Sequence, residues 1–204
     1  MNTNVIHAIV HIQNWGESSG VMEALVRSKN VISVFHVMGR ASYLVDVNFD
    51  SKAELEVWIN QVKAIRLASG VPAIIAIRTQ KVIEAHKQKR GFDLASYRNL
   101  GRMFHFFLNI DVPHHDEETV ALLQGSDIVH TVLHVQGEHS FVAEIITERY
   151  DAYKSLLKSL KGAGGVNHLE TQEVIAVHKY RNQVFDETGN LTYPREDIRE
   201  MFSL

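Results

Sequence analysis

The sequence predicts an α+β chain made of two copies of one β-α-β-β-α-β unit, and three observations predict it. A nine-residue phrase occurs twice, TQKVIEAHK at 79–87 and TQEVIAVHK at 171–179, with six of the nine residues identical. Sliding the chain by 98 positions places His7 on His105, Ile12 on Ile110, Leu25 on Leu123, His36 on His134, Gly39 on Gly137 and Ser42 on Ser140 without a gap. The offset slips to 92 only before the repeated phrase, so the second copy is shorter in one late loop. Within each copy, apolar residues recur with a period of two in some segments and near 3.6 in others, the spacings of strands and helices.

Each element follows from that spacing. NVIHAIVHI places Val5, His7, Ile9 and His11 on one strand face and Ile6, Ala8, Val10 and Ile12 on the other, apolar on both sides as in a central strand. VMEALVRSKN is a short helix in which Val21, Met22 and Leu25 recur at helical spacing. Residues 31–38 and 43–49 flank Gly39 and form a hairpin. SKAE at 51–54 is a capping box, and Leu55, Trp58, Ile59 and Val62 make the stripe of a second helix. The TQ segment supplies the last strand. The second copy repeats the order with RMFHFFLNI, a helix in DEETVALLQG, a hairpin around Gly137, a helix from Tyr150 to Lys161 and its own TQ strand.

The order is the split βαβ arrangement of ferredoxin-like domains. The predicted organisation is a first domain at 1–87, a linker at 88–101, a second domain at 102–181 and a polar tail at 182–204 in which Pro194 starts a short helix. A ferredoxin-like sheet has helices on one face only, so the other face must be covered. The expectation is that the two copies cover each other as an intramolecular pseudo-dimer, of the dimeric α+β barrel type.

Composition narrows the function classes. With 204 residues, 45% of them hydrophobic and 22% charged, the chain has an ordinary globular make-up. A net charge of −3 argues against direct DNA binding, which needs clustered Lys and Arg; the only basic cluster, Lys87, Lys89 and Arg90, falls at the linker. No apolar run is long enough for a membrane span and the N-terminus has no secretory pattern, so the expected location is the cytoplasm. With no cysteine, thiol catalysis and thiolate metal sites are excluded.

The hairpin VFHVMGRASYLVDV with LVRSKNV upstream, SGV at 69–71 and the TQKVI…HK ending resembles the ligand-binding (RAM) domain of the Lrp/AsnC regulators. VLHVQGEHSFVAEI, GGV at 164–166 and TQEVIAVHK resemble it a second time, so the likeness extends over about 170 of the 204 residues. It implies a stand-alone tandem effector module that binds an amino acid or related metabolite and acts in transcription regulation. No cofactor is implied, and the implied partners are further copies of the chain or a DNA-binding regulator. The implied ligand site is the two hairpin turns: Gly39, Arg40, Ser42 and Tyr43 in one copy, and Gly137, His139, Ser140 and Phe141 in the other. A turn glycine permits close backbone approach, and the Ser42 and Ser140 hydroxyls would orient a carboxylate. The chain departs from the family in having its first strand by residue 5, with no helix-turn-helix before it, and in carrying Ser42 and Ser140 where members have an acid.

A second reading is an enzyme on the same scaffold, with haem, tetrapyrrole or metal chemistry carried by the recurring histidines. Three pairs recur, His7/His105, His36/His134 and His86/His178, together with the equivalent acids Asp46 and Glu144. If His36 shares a sheet face with Asp46, and His134 with Glu144, each copy brings an imidazole to a carboxylate, a combination suited to proton relay or metal binding. Hydrogen-bonded structural histidines are the competing explanation. PHHDE at 113–117 is a further cluster of metal-ligand types, read as solvated loop.

Overall fold

The computed structural model describes residues 5–16, 19–88, 103–112, 117–163, 165–185 and 191–192. The linker, most of PHHDE and the segment after Pro194 lie outside the described residues. The chain divides into two compact units, one formed by Met1–Thr79 with Ile175–Leu204 and the other by Gln80–Val174. The fold is α+β: mostly antiparallel sheet, with four helices among the described residues.

The first unit runs β1 (Ile6–Asn14), α1 (Ser19–Arg27), β2 (Val31–Met38), β3 (Tyr43–Phe49), α2 (Lys52–Lys63) and the first part of β4 (Ile74–Gln88). Its sheet has β1 paired antiparallel with β3 and β3 with β2. Ser51 caps the helix as SKAE predicts, its Oγ accepting the Glu54 N–H at 3.2 Å, while the Glu54 carboxylate accepts the N–H of Asp50, the residue before the cap, at 3.3 Å. Gly39 takes a φ of +147°, which lets the hairpin turn where a side chain would be strained. One sheet face packs Ala8, Val10, Ile12, Tyr43, Val45 and Val47 against Val21, Leu25, Leu55, Trp58 and Val62 of the helices. Each buried Val, Leu or Ile among them contributes roughly 1.5–3 kcal/mol through burial.

The second unit holds β5 (Phe104–Asp111), α3 (Glu117–Gly125), β6 (Val129–Gln136), β7 (Phe141–Thr147), α4 (Tyr150–Gly162) and the first part of β8 (His168–Tyr180). Strand β5 lies between β7 and β8, β7 pairs with β6, and β6 pairs with the second half of β4. Its core sets Phe106, Leu108, Ile110, Phe141, Ala143 and Ile145 against Leu123, Tyr153, Leu156 and Leu160.

The units part within strands, at Thr79/Gln80 and Val174/Ile175, rather than in the predicted linker. Strands β4 and β8 are 15 and 13 residues long, about twice the length of their neighbours, and each contributes one half to either unit. The tail also departs from expectation. Ahead of the expected Pro194 helix, which lies outside the described residues, it adds β9 (Gln183–Phe185) beside β8 and β10 (Leu191–Thr192) beside β9. Arg181 and Asn182, at φ of +47° and +67°, make the tight turn between β8 and β9.

Lys179 on β8 is 1% exposed, and its Nζ donates to the carbonyls of Val26 and Ser28 at the end of α1. The equivalent Lys87 does the same to Gln124 and Ser126 after α3. A cation there satisfies orphan carbonyls and meets the negative end of the helix dipole. Burial pushes the Lys179 pKa from 10.5 down to about 8. Between those values the unfolded chain binds more protons than the folded one, so this group makes stability rise with pH from about 8 to 10.5. Denaturant melts across that range should show the rise, and Lys179→Met should remove it.

Candidate functional site

Strand alternation and register sort the chemistry-bearing residues onto two faces. In the second unit, the face turned away from the helices carries His105, Phe107 and Asn109 of β5, Val142, Glu144 and Ile146 of β7, and Glu170 and Gln172 of β8. This face is mostly buried, and five of these eight side chains are polar or charged. His105 Nε2 lies 3.1 Å from Glu144 Oε1, and Thr131 Oγ1 donates to Glu144 Oε2 at 2.9 Å. Burial alone would raise the Glu144 carboxyl; the hydrogen bond and charge of His105, with the Thr131 hydroxyl and the charge of His130, outweigh it and hold the group below the ordinary carboxylate value.

The first unit repeats the pair. His7 Nε2 lies 2.7 Å from Asp46 Oδ1, with both side chains about one-quarter exposed. The imidazole–carboxylate pairs are therefore His7–Asp46 and His105–Glu144, which corrects the expected pairing of His36 with Asp46 and of His134 with Glu144. A register shift between Val31 and Ser33 changes the alternation along β2, and its counterpart between Val129 and Thr131 does so along β6. His36 then stands opposite Tyr43, and His134 opposite Phe141, on the helix-covered face.

Two further residues on the second unit's helix-free face were missed by sequence reasoning. Asn109 and Gln172 are fully buried, and neither amide end of either side chain has a hydrogen-bond partner among the described residues. Leaving such groups unpaired costs about 1–3 kcal/mol each, which makes the two amides candidates for receiving polar atoms. The signal in the sequence was an asparagine inside the apolar run HFFLNI and a glutamine repeated in both TQ phrases. Beside them, His139 lies 3.6 Å from Glu170 and stacks on His168, its centroid 6.2 Å away. Burial and the neighbouring His168 lower the His139 pKa against the pull of Glu138, Glu170 and Asp111, favouring the neutral ring.

The turn residues are placed as follows. Tyr43 and Phe141 are core residues of their units. Ser42 Oγ accepts the Asn14 N–H at 3.3 Å; Ser140 Oγ accepts the Val112 N–H at 3.2 Å and donates to the Val112 carbonyl at 2.9 Å. Both hydroxyls therefore tie the hairpin to the end of the unit's first strand. Arg40 is exposed, as is its counterpart Glu138, and His139 is buried, as is its counterpart Ala41, so the two turns share one burial pattern with different side chains. Each unit also has an open groove between its helices, of about 800 Å³ beside Arg27 and Trp58 and about 670 Å³ beside Leu122 and Leu156; neither groove is lined by a histidine.

Neither a protein-family model nor a curated protein sequence matches the chain. Solved structures do. The siroheme decarboxylase NirDL superposes with a TM-score of 0.66 at 8% identity, over 92% of this chain and 77% of that one. The same enzyme in co-complex with an iron-uroporphyrin III analogue gives 0.64 at 8% over the same shares. Chlorite dismutase from Candidatus Nitrospira defluvii in complex with imidazole gives 0.52 at 10% identity, over 86% of this chain and 93% of that one. At such identities the likeness establishes the shared α+β fold of ferredoxin-like units. It overturns the resemblance to Lrp/AsnC effector domains, and with it the reading as an amino-acid-sensing module of transcription regulation. The quoted hairpin motif consists of a turn glycine and alternating apolar residues, which any such β-β pair requires, so it reported the fold and not the family. Among the described residues, no helix is long and apolar enough to cross a membrane.

Proposed function

We propose that the chain is an enzyme that binds a carboxylate-bearing tetrapyrrole and removes carbon dioxide from one of its acid side chains. The observation that carries this reading is the set of buried, unpartnered amides of Asn109 and Gln172 beside the His105–Glu144 pair. Support comes from the fold shared with a siroheme decarboxylase, a structure of which holds an iron-uroporphyrin analogue. The donor set suits such a substrate: amide N–H groups meet carboxylate oxygens, and burial strengthens each such contact.

The division of labour follows from the geometry. Asn109 and Gln172 bind and orient acid side chains. When a carbon–carboxylate bond breaks and carbon dioxide leaves, the carbon must gain a proton, and His105 is the group placed to hold one. Glu144, kept ionised by its own hydrogen bonds, is the counter-ion for that imidazolium and fixes the ring through Nε2.

Titrating the purified chain with iron uroporphyrin III, followed by visible absorbance, should show saturable binding, and mass spectrometry should show loss of carbon dioxide from the bound molecule. Asn109→Leu should weaken binding about tenfold or more, the cost of one buried hydrogen bond to a charged group. His105→Gln should keep binding and lose the mass change. A chain that leaves the absorbance unmoved at every concentration would sink the proposal.

A further inference from the structure

A different cluster lies on the helix-covered side of the second unit, at the edge where β4 meets β6. Glu84, His86 and His134 offer ligand atoms that all lie within 4.8 Å of one another. The His86 and His134 rings stack with centroids 6.1 Å apart and planes 22° apart, both against Phe141. His86 Nδ1 is 3.9 Å from Glu84 Oε1.

The backbone is shaped to produce this convergence. The β4–β6 ladder shifts register between Val82 and Glu84 and again between Ala85 and Lys87, one shift on either side of the Glu84–Ala85 pair, with His86 as the extra residue of the second. Bulges of this kind re-aim side chains, and here they bring Glu84 and His86 to the side of His134. The position of His86 is fixed by its carbonyl, which accepts from Gln124 Nε2 at 2.9 Å, and by Lys87 Nζ, which donates to the Gln124 and Ser126 carbonyls. The imidazoles are half-buried and held, whereas the carboxylate is exposed on a rotatable stem and is able to close on an ion.

We propose that Glu84, His86 and His134 form a mononuclear site for a divalent transition-metal ion, and that the first unit lacks the equivalent site through one residue. Two imidazoles and one carboxylate suit Zn²⁺, Co²⁺ or Fe²⁺ at bonds of about 2.0–2.2 Å and leave a coordination position for water or a substrate oxygen. The duplication supplies an internal comparison. In the first unit His178 and His36 stack at the same 6.1 Å, with planes 26° apart, against Tyr43. The repeated phrase places Ala176 where the second unit has Glu84. The imidazole pair is thus present in both units and the carboxylate in one.

Calorimetric titration of the metal-free chain with Zn²⁺, and with Co²⁺ read by its visible absorbance, tests this without reference to any tetrapyrrole, so it can fail independently of the enzymatic reading. The expected wild-type result is one ion per chain. Glu84→Ala, an exposed change that leaves the core untouched, should weaken binding by about 100-fold, while a His114→Ala, His115→Ala chain should bind as the wild type does. Ala176→Glu should take up two ions. A wild-type chain that binds none, or an affinity unchanged in Glu84→Ala, overturns the site; an Ala176→Glu chain that stays at one ion overturns the role given to the carboxylate.

Discussion

Truncating Phe141 to alanine is expected to lower the unfolding free energy by about 3–5 kcal/mol, read as a fall in the denaturant midpoint with little change in slope. Phe141 is fully buried at the start of β7 and belongs to the core that Leu123, Leu156 and Leu160 complete. Its ring also contacts both His86 and His134, so the cavity left behind would open under the proposed metal ligands. Saturating Zn²⁺ should therefore restore less stability to Phe141→Ala than it adds to the wild type, because ligand-linked stabilisation scales with affinity for the native state. Phe141→Leu, which preserves more of the volume, should cost less than half as much.

Replacing Glu144 with alanine is expected to cost about 3–5 kcal/mol at neutral pH, since breaking a buried pair strands the remaining partner. Glu144 is 5% exposed, and its two carboxylate oxygens are taken by His105 and Thr131. Its folded pKa lies below the ordinary 4.5, so in the wild type this group contributes stability above that value and loses it as the pH falls through the folded value. Acid melts of the variant should lack that part of the decline. Equal slopes in wild type and Glu144→Ala below pH 4.5 would show that the carboxyl is not held ionised by its neighbours.

Most of the architecture was legible because it depends on local periodicity. The β2 and β3 limits agree with the apolar runs at 31–38 and 43–49, and Ser51 caps α2 as SKAE implies. What the sequence concealed depends on non-local geometry. Asp46 and His36 each alternate correctly along their own strands, but the shift between Val31 and Ser33 puts them on opposite faces, and no residue type announces a shift of that kind. The candidate site was half visible. His105 and Glu144 stood out by recurrence, whereas Asn109 and Gln172 are ordinary until their burial and lack of partners are known. Glu84 was on view from the start as a difference between the two nine-residue phrases, yet its meaning depended on where the ring of His134 lies.

The division of the chain within β4 and β8 sets an order of events during synthesis. Residues 80–174 are contiguous, so the second unit has all its parts once they have left the ribosome. The first unit does not: Lys179, which anchors the end of α1, is made 100 residues after Thr79. At about 5–20 residues per second, that is a delay of about 5–20 s. Throughout that interval β2, the strand that β8 later joins, is an open edge carrying the apolar run VISVF, the kind of template on which nascent chains stick to one another. The polypeptide begins the first unit first and finishes it last, and holding that edge apart until residue 179 arrives is a task for whatever attends the chain as it emerges.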